Sequence, residues 1–180
     1  MKNMKIKEIL MTEEEISGIV SCLADRINND CKNCDKLTVI CVLKGAAVFA
    51  SDLIRKLSVP DVKVCFIKAE SYGSAVESSG SVKINSYEPL EIQGEDVLIV
   101  EDIVDTGHTL SQLTAQLKKL RPRSLKVCTM FDKPTRRCTE FVPDYAGAEI
   151  PNEFIVGYGL DFDERYRNLP YVAVLDDCTE

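Results

Sequence analysis

The sequence lacks an excess of basic charge. Lys and Arg number 22 against 29 Asp and Glu, for a formal net charge of −7. Non-specific nucleic-acid binding needs a basic face, so no nucleic-acid partner is expected. No apolar run approaches the roughly 20 residues of a membrane span, so no membrane partner is expected either. Met1 to Lys7 holds no apolar stretch of the kind that marks a secretory leader, and a cytoplasmic protein is expected. There is no internal repeat and no low-complexity tail. Histidine is nearly absent, with His108 standing alone. The Cys31-x-x-Cys34 pair has no second pair and no histidine at zinc-finger spacing, which argues against a zinc or redox site. Of the other cysteines, Cys41, Cys65 and Cys128 lie in apolar runs, where a reduced thiol packs as a small hydrophobe.

What is present is an ordinary globular composition, 45% apolar and 28% charged over 180 residues, enough for one domain with a full core and a small appended lobe. Thr12-Glu13-Glu14-Glu15 reads as a capping box opening a helix. Ile16, Ile19, Val20, Leu23 and Ile27 give that helix one apolar face. Leu37 to Leu43 reads as a buried strand, and a helix with Ala46, Phe49, Ala50, Leu53 and Leu57 inside follows. Further strands are expected over Val62–Ala69, Val97–Glu101, Leu125–Phe131 and Phe154–Tyr158. Alternating strands and helices predict an α/β fold with a parallel sheet.

The stretch from Val97 to Leu110 organises the rest. An unbroken apolar run suits a strand covered on both faces. Glu101 and Asp102 follow where that strand should end, then the turn Asp105-Thr106-Gly107-His108-Thr109. Leu110, Leu113, Leu117 and Leu120 recur at helical spacing after it. Unpaired N–H groups of a tight turn that opens a helix bind anions, aided by the helix dipole. Thr106 and Thr109 add hydroxyl donors, and Gly107 leaves room for close approach. Lys44-Gly45, Glu70-Ser71-Tyr72, Glu101-Asp102 and Asp132-Lys133 all fall at strand ends, the side on which such sheets bind ligands.

The Val97–Leu110 pattern resembles the phosphoribosyl-diphosphate motif of type I phosphoribosyltransferases. Phe131-Asp132-Lys133, Pro143-Asp144-Tyr145, Phe154-Ile155-Val156-Gly157-Tyr158-Gly159-Leu160-Asp161 and Tyr166-Arg167-Asn168-Leu169-Pro170 extend it. With these, the chain resembles the hypoxanthine-guanine branch from about Val39 to Leu175. The resemblance implies a parallel-sheet core over about 37–142 and a hood lobe built from the N-terminal segment and about 143–180. It also implies a mobile lid over about 70–85, carrying Ser71 and Tyr72. By position, Glu101 and Asp102 face the ribose hydroxyls and Mg2+, and Asp105 is the catalytic base near purine N7. Asp105, Thr106, Gly107, His108 and Thr109 cradle the 5′-phosphate, while Lys44, Gly45 and Arg167 meet the pyrophosphate. Lys133, Phe154, Ile155 and Asp161 surround the purine, with Asp161 also near a second magnesium. Lys44-Gly45 matches a loop that carries an unusual cis peptide in the family.

Taken singly, Lys133 and Arg167 read as surface charges, Phe154 as core, Asp161 as a turn cap and His108 as exposed filler. The joint spacing of Lys133, Phe154, Asp161 and Arg167 favours the functional reading, whereas for His108 the exposed filler is the favoured reading over a pH-sensitive phosphate contact. The implied partners are 5-phospho-α-D-ribose 1-diphosphate (PRPP) and a 6-oxopurine, with a homodimer or homotetramer as the assembly. RNA-binding attenuators built on the same fold need a basic face and usually lack the carboxylate of Asp105. Adenine and orotate transferases are not expected to pair Asp105 with Lys133 and a Phe-Ile-Val-Gly run.

Overall fold

Thr12 starts the first helix as its sequence requires. Its hydroxyl accepts from Glu15 N at 3.3 Å, and the Glu15 carboxylate accepts from Thr12 N at 2.8 Å. The helix, α1, runs Glu13–Asp30 and buries Ile16, Val20, Leu23, Ala24 and Ile27. The structure, a computed structural model, describes residues 4–71 and 82–177.

The strand expected at Leu37 to Leu43 is β2 (Lys36–Leu43), with six consecutive buried residues. It lies inside a six-stranded sheet beside β3 (Asp61–Ser71) and β5 (Asp96–Val104). Then come β6 (Ser124–Asp132) and β7 (Tyr145–Glu149), while β4 (Val82–Ser86) closes the other edge. All neighbours are parallel except β4, which runs antiparallel to β3. Successive residues of β2 feed opposite faces. Val39 and Cys41 pack with α1 and α2 (Ala47–Ile54), and Ile40 and Val42 pack with α3 (His108–Lys118).

A second sheet of three antiparallel strands joins β1 (Met4–Met11), β9 (Val172–Asp177) and β8 (Ile155–Val156), in the order β1-β9-β8. The two ends of the chain thus build one small lobe. Ile155, Val172 and Val174 share a hydrophobic cluster with Val39 and Phe49, so the lobe is packed onto one face of the large sheet.

Three expectations need correction. Phe154–Tyr158 is not a strand of the parallel sheet: only Ile155–Val156 is extended, in the small sheet. Gly157, Tyr158 and Gly159 all have positive φ, which ends the strand, and a Cβ on Gly157 would lie 2.0 Å from Tyr171 O. β5 does not stop at Glu101. It keeps pairing with β6 through Val104↔Asp132, so Glu101 and Asp102 sit within the strand. Both helices after the turns are shorter than their apolar lists. Leu57 lies past α2, and Leu120 lies past α3 with 42% of its surface exposed.

Candidate active site

The carboxyl ends of β3, β2, β5 and β6 lie side by side, because those strands are neighbours in that order. Each hands its next residues to one rim. After β2 the chain turns through a cis Leu43–Lys44 peptide into Gly45. A Cβ on Gly45 would lie 1.5 Å from the Asp102 Oδ2, and one on Gly159 would lie 2.1 Å from Gly45 O. The Gly45 backbone is therefore pressed between a strand carboxylate and the Gly157–Gly159 turn of the small lobe. No residue with a side chain fits at either glycine without movement.

Asp102 Oδ1 accepts from Ile103 N at 2.8 Å, and Glu101 Oε1 accepts from Asp102 N at 3.2 Å. Burial drives the Glu101 carboxyl well above the usual range, and the adjacent Asp102 charge drives it further. Burial also raises Asp102, opposed by its hydrogen bonds and by the Arg167 charge. Two carboxyls this close and this enclosed share a proton, unless a cation joins them.

Beyond Val104 the chain makes the expected turn. Gly107 has φ +84°, and a Cβ there would lie 2.5 Å from Thr139 Oγ1 and 2.9 Å from Arg137 Cδ. It is the N-cap of α3 and offers no side-chain cap, so the first N–H groups of that helix keep no side-chain partner. Glu101, Asp105, Thr106, Gly107 and Thr109 line a cleft of about 220 Å³ there. His108 is the exposed first residue of α3. A roomier apolar groove of about 510 Å³ lies elsewhere, on β1, α1 and β7, and holds none of the expected site residues.

Just past β6, Lys133 is only 7% exposed, and its Nζ donates to Glu153 O at 2.7 Å. Burial lowers its pKa, against the pull of the Asp105 charge. Phe154 is 49% exposed and meets Phe162 edge-on at 5.6 Å, so it is not core. The Ile155 side chain is buried.

A profile described as "Phosphoribosyl transferase domain" matches residues 6–163. A curated Mycobacterium tuberculosis protein, "Hypoxanthine-guanine phosphoribosyltransferase", is 46% identical over 176 residues, covering 95% of this chain and 87% of that one. The chain belongs to the hypoxanthine-guanine phosphoribosyltransferase family. A Streptococcus thermophilus protein of the same name is 42% identical over 172 residues, covering 96% of this chain and 94% of its own. The crystal structure of a hypoxanthine-guanine phosphoribosyltransferase from Bacillus anthracis, with a HEPES molecule in its active site, superposes with a TM-score of 0.88. It shares 43% identity and covers 97% of this chain and 99% of its own. Like the other members of the family, the chain is a glycosyl-transferring enzyme with a mostly parallel central sheet.

Within this hypoxanthine-guanine phosphoribosyltransferase fold, the cations expected at the pyrophosphate meet acids. Lys44 Nζ lies 2.8 Å from Glu164 Oε2, and Arg167 Nη2 lies 2.8 Å from Asp161 Oδ1 and 3.4 Å from Glu164 Oε2. Asp161 Oδ2 also accepts from Glu164 N at 2.9 Å, so Asp161 does cap a turn. Ser71 ends β3; Tyr72 and most of the expected lid lie outside the described residues, and residues 82–85 belong to β4.

The sequence reading missed Arg136, Arg137 and Glu164. Arg136 Nε lies 2.7 Å from Asp105 Oδ1, and Arg137 pairs with Asp132 behind Gly107. A signal was present: Lys133, Arg136 and Arg137 crowd the end of β6 in a chain that is acidic overall. Arg137 Nη1 and Arg167 Nε are buried atoms without a hydrogen bond, and both adjoin this rim. Buried polar atoms are seldom left unpaired, so such a cluster marks where a polar ligand belongs.

Proposed function

We propose that the enzyme works in purine salvage, transferring the 5-phosphoribosyl group of PRPP to N9 of hypoxanthine or guanine. The products are IMP or GMP and diphosphate. One observation carries this reading: Asp105 lines the cleft at the phosphate turn and lies close enough to the buried Lys133 for its charge to act on that ammonium. A carboxylate there suits a purine N7–H. As the N9–C1′ bond forms and the C1′–O bond to diphosphate breaks, Asp105 takes the N7 proton. Lys133 donates to the 6-oxygen, the exposed Phe154 ring stacks on the base, and the Ile155 backbone meets its 2-position edge. The uncapped start of α3, with Thr106, His108 and Thr109, holds the 5′-phosphate. Lys44, the Gly45 backbone and Arg167 receive the diphosphate, where negative charge develops. Ser71 and Tyr72 belong to a lid that excludes water.

Glu101 and Asp102 fit a magnesium ion: they offer hard oxygen ligands, and burial together leaves them short of a compensating cation. Asp161 fits less well, since both its oxygens are engaged, and no cluster of three potential metal ligands occurs among the described residues. A bound magnesium ion would stabilise the charge building on the departing diphosphate. A cytoplasmic homodimer or homotetramer, with no nucleic-acid or membrane partner, completes the proposal.

The test is an assay of the purified chain with magnesium, PRPP and hypoxanthine, guanine, xanthine, adenine or orotate. Nucleotide should form from 6-oxopurines only. Conversion of orotate or adenine alone, or of no base at all, would overturn the reading.

A further inference from the structure

Arg136 comes after β6, in the short turn Pro134–Arg136. Its guanidinium reaches two loops at once. Nε approaches Asp105 Oδ1 at 2.7 Å, and Nη1 donates to Asn152 Oδ1 at 3.2 Å. Asn152 lies two residues before Phe154. Lys133, three residues before Arg136, bonds the next carbonyl, that of Glu153. Two cations of one turn thus hold successive residues of the loop that carries the aromatic ring. The Arg136 contact is a close ion pair between Nε and the carboxylate. Arg136 fixes where the carboxylate stands.

Stability does not account for this arrangement. Both partners are more than two-fifths exposed, and pairs of that kind contribute little to folding. A planar fork that meets two acceptors in different directions is instead a means of holding a distance.

We propose that Arg136 is a positioning residue for the purine side of the reaction. By bridging Asp105 and Asn152, it sets the gap between the proton acceptor and the loop bearing Phe154. This rests on the reading of Asp105 as the acceptor of the N7 proton. Groups held at fixed separation before the base arrives lower the cost of reaching a reactive geometry, and misplacement by an ångström is costly in rate.

The experiment is steady-state kinetics with hypoxanthine and PRPP on Arg136→Ala, Arg136→Gln and Arg136→Lys, each also combined with Asp105→Asn. Both neutral variants should lose about ten- to hundredfold in kcat/KM for hypoxanthine. KM for PRPP should stay within about twofold, because the phosphate turn is untouched. Arg136→Lys should recover part of the loss, keeping the charge but not the second contact. On the Asp105→Asn background, Arg136→Ala should cost clearly less than on the wild-type background, because only its hold on the Asn152 loop is then left to lose. The same loss on both backgrounds, unchanged kinetics, or a raised kcat would overturn the proposal. A wild-type chain that converts no purine would instead remove the function it rests on.

Discussion

The two edges of the large sheet treat charge in opposite ways. At the amino-terminal edge, Asp96 accepts from Arg123, from Ser124 Oγ at 2.7 Å and from Cys34 Sγ at 3.4 Å. Glu95 accepts from Lys36 at 2.9 Å and from Thr38. The Arg123 guanidinium leads in holding Asp96 down at about 2, and the bonds from Thr38 and Lys36 lower Glu95. At the carboxyl edge the directions reverse. Glu101 and Asp102 are raised, Lys133 is lowered, and burial comes first among the causes in all three. Two buried polar atoms around that edge, Arg137 Nη1 and Arg167 Nε, have no hydrogen bond. Both edges belong to the same strands, and they differ in the groups that surround them. At one edge the carboxylates have cationic partners supplied by the chain, whereas at the other Glu101 and Asp102 accept from backbone N–H groups and are arranged for a partner from outside. A pKa moved toward the neutral form marks the second kind.

The sharpest break of this contrast is Asp105→Asn. Amide replaces carboxylate with little change of volume, so the melting temperature should move by less than about 2 °C. Turnover should fall about 10²- to 10⁴-fold, the usual worth of a positioned proton acceptor. Isothermal titration with PRPP should give a Kd close to wild type. Unchanged turnover would remove Asp105 from the chemistry and leave the carboxyl edge merely under-satisfied.

Removing the other edge's hub should do the reverse. Asp96→Ala takes the acceptor from Arg123, Ser124 and Cys34 and should cost about 2 kcal/mol at pH 7. That is roughly 4–8 °C in Tm for a chain of this size, with kcat unchanged. The folded-state pKa of Asp96 lies below its unfolded value of 3.8. Its contribution is therefore present above pH 3.8 and lost as pH falls toward about 2. Denaturant melts of wild type and variant should converge over that window. A gap that persists at pH 2 would mean packing, not charge, holds this edge.

The contrast was only half legible in the sequence. The acidic pair and the Asp-Thr-Gly-His-Thr turn stand in one contiguous stretch, and the capping box of Thr12 is local, so both could be read directly. β2 showed as an apolar run because both its faces are covered. β1 gave no such signal: Ile6 and Ile9 point outward, 41% and 56% exposed. β7 is Tyr-Ala-Gly-Ala-Glu, poor in strand formers, because a Cβ at Gly147 would lie 2.6 Å from Met130 O and 2.8 Å from Ile19 Cγ2. Close packing against α1 chose its residues, and strand propensity did not. Arg136 and Arg137 went unread, since the groups that give them meaning are elsewhere in the chain: Asp105, Asn152 and the back of Gly107. The hub at Asp96 escaped for the same reason, because Cys34 and Arg123 join it only in the fold.

The finest test acts on Glu101, where the two edges differ most in sign. Its carboxyl is raised in the folded chain, so the stability it contributes is full below the unfolded value of 4.5 and is lost as pH rises through the folded pKa. Glu101→Gln removes that loss. The variant should melt at about the wild-type temperature at pH 4 and roughly 2–4 °C above it at pH 7, a gain of about 1 kcal/mol. Asp96→Ala loses stability with activity kept; Glu101→Gln should gain stability and lose activity. Magnesium chloride supplies a readout independent of turnover. If the ion joins Glu101 and Asp102, it should raise the melting temperature of wild type and leave the variant nearly unmoved, closing the gap between them. A variant less stable than wild type at pH 7 would show the pair already compensated within the fold. Equal indifference of both chains to magnesium would place the ion elsewhere, and the raised carboxyls would then need a partner other than the metal.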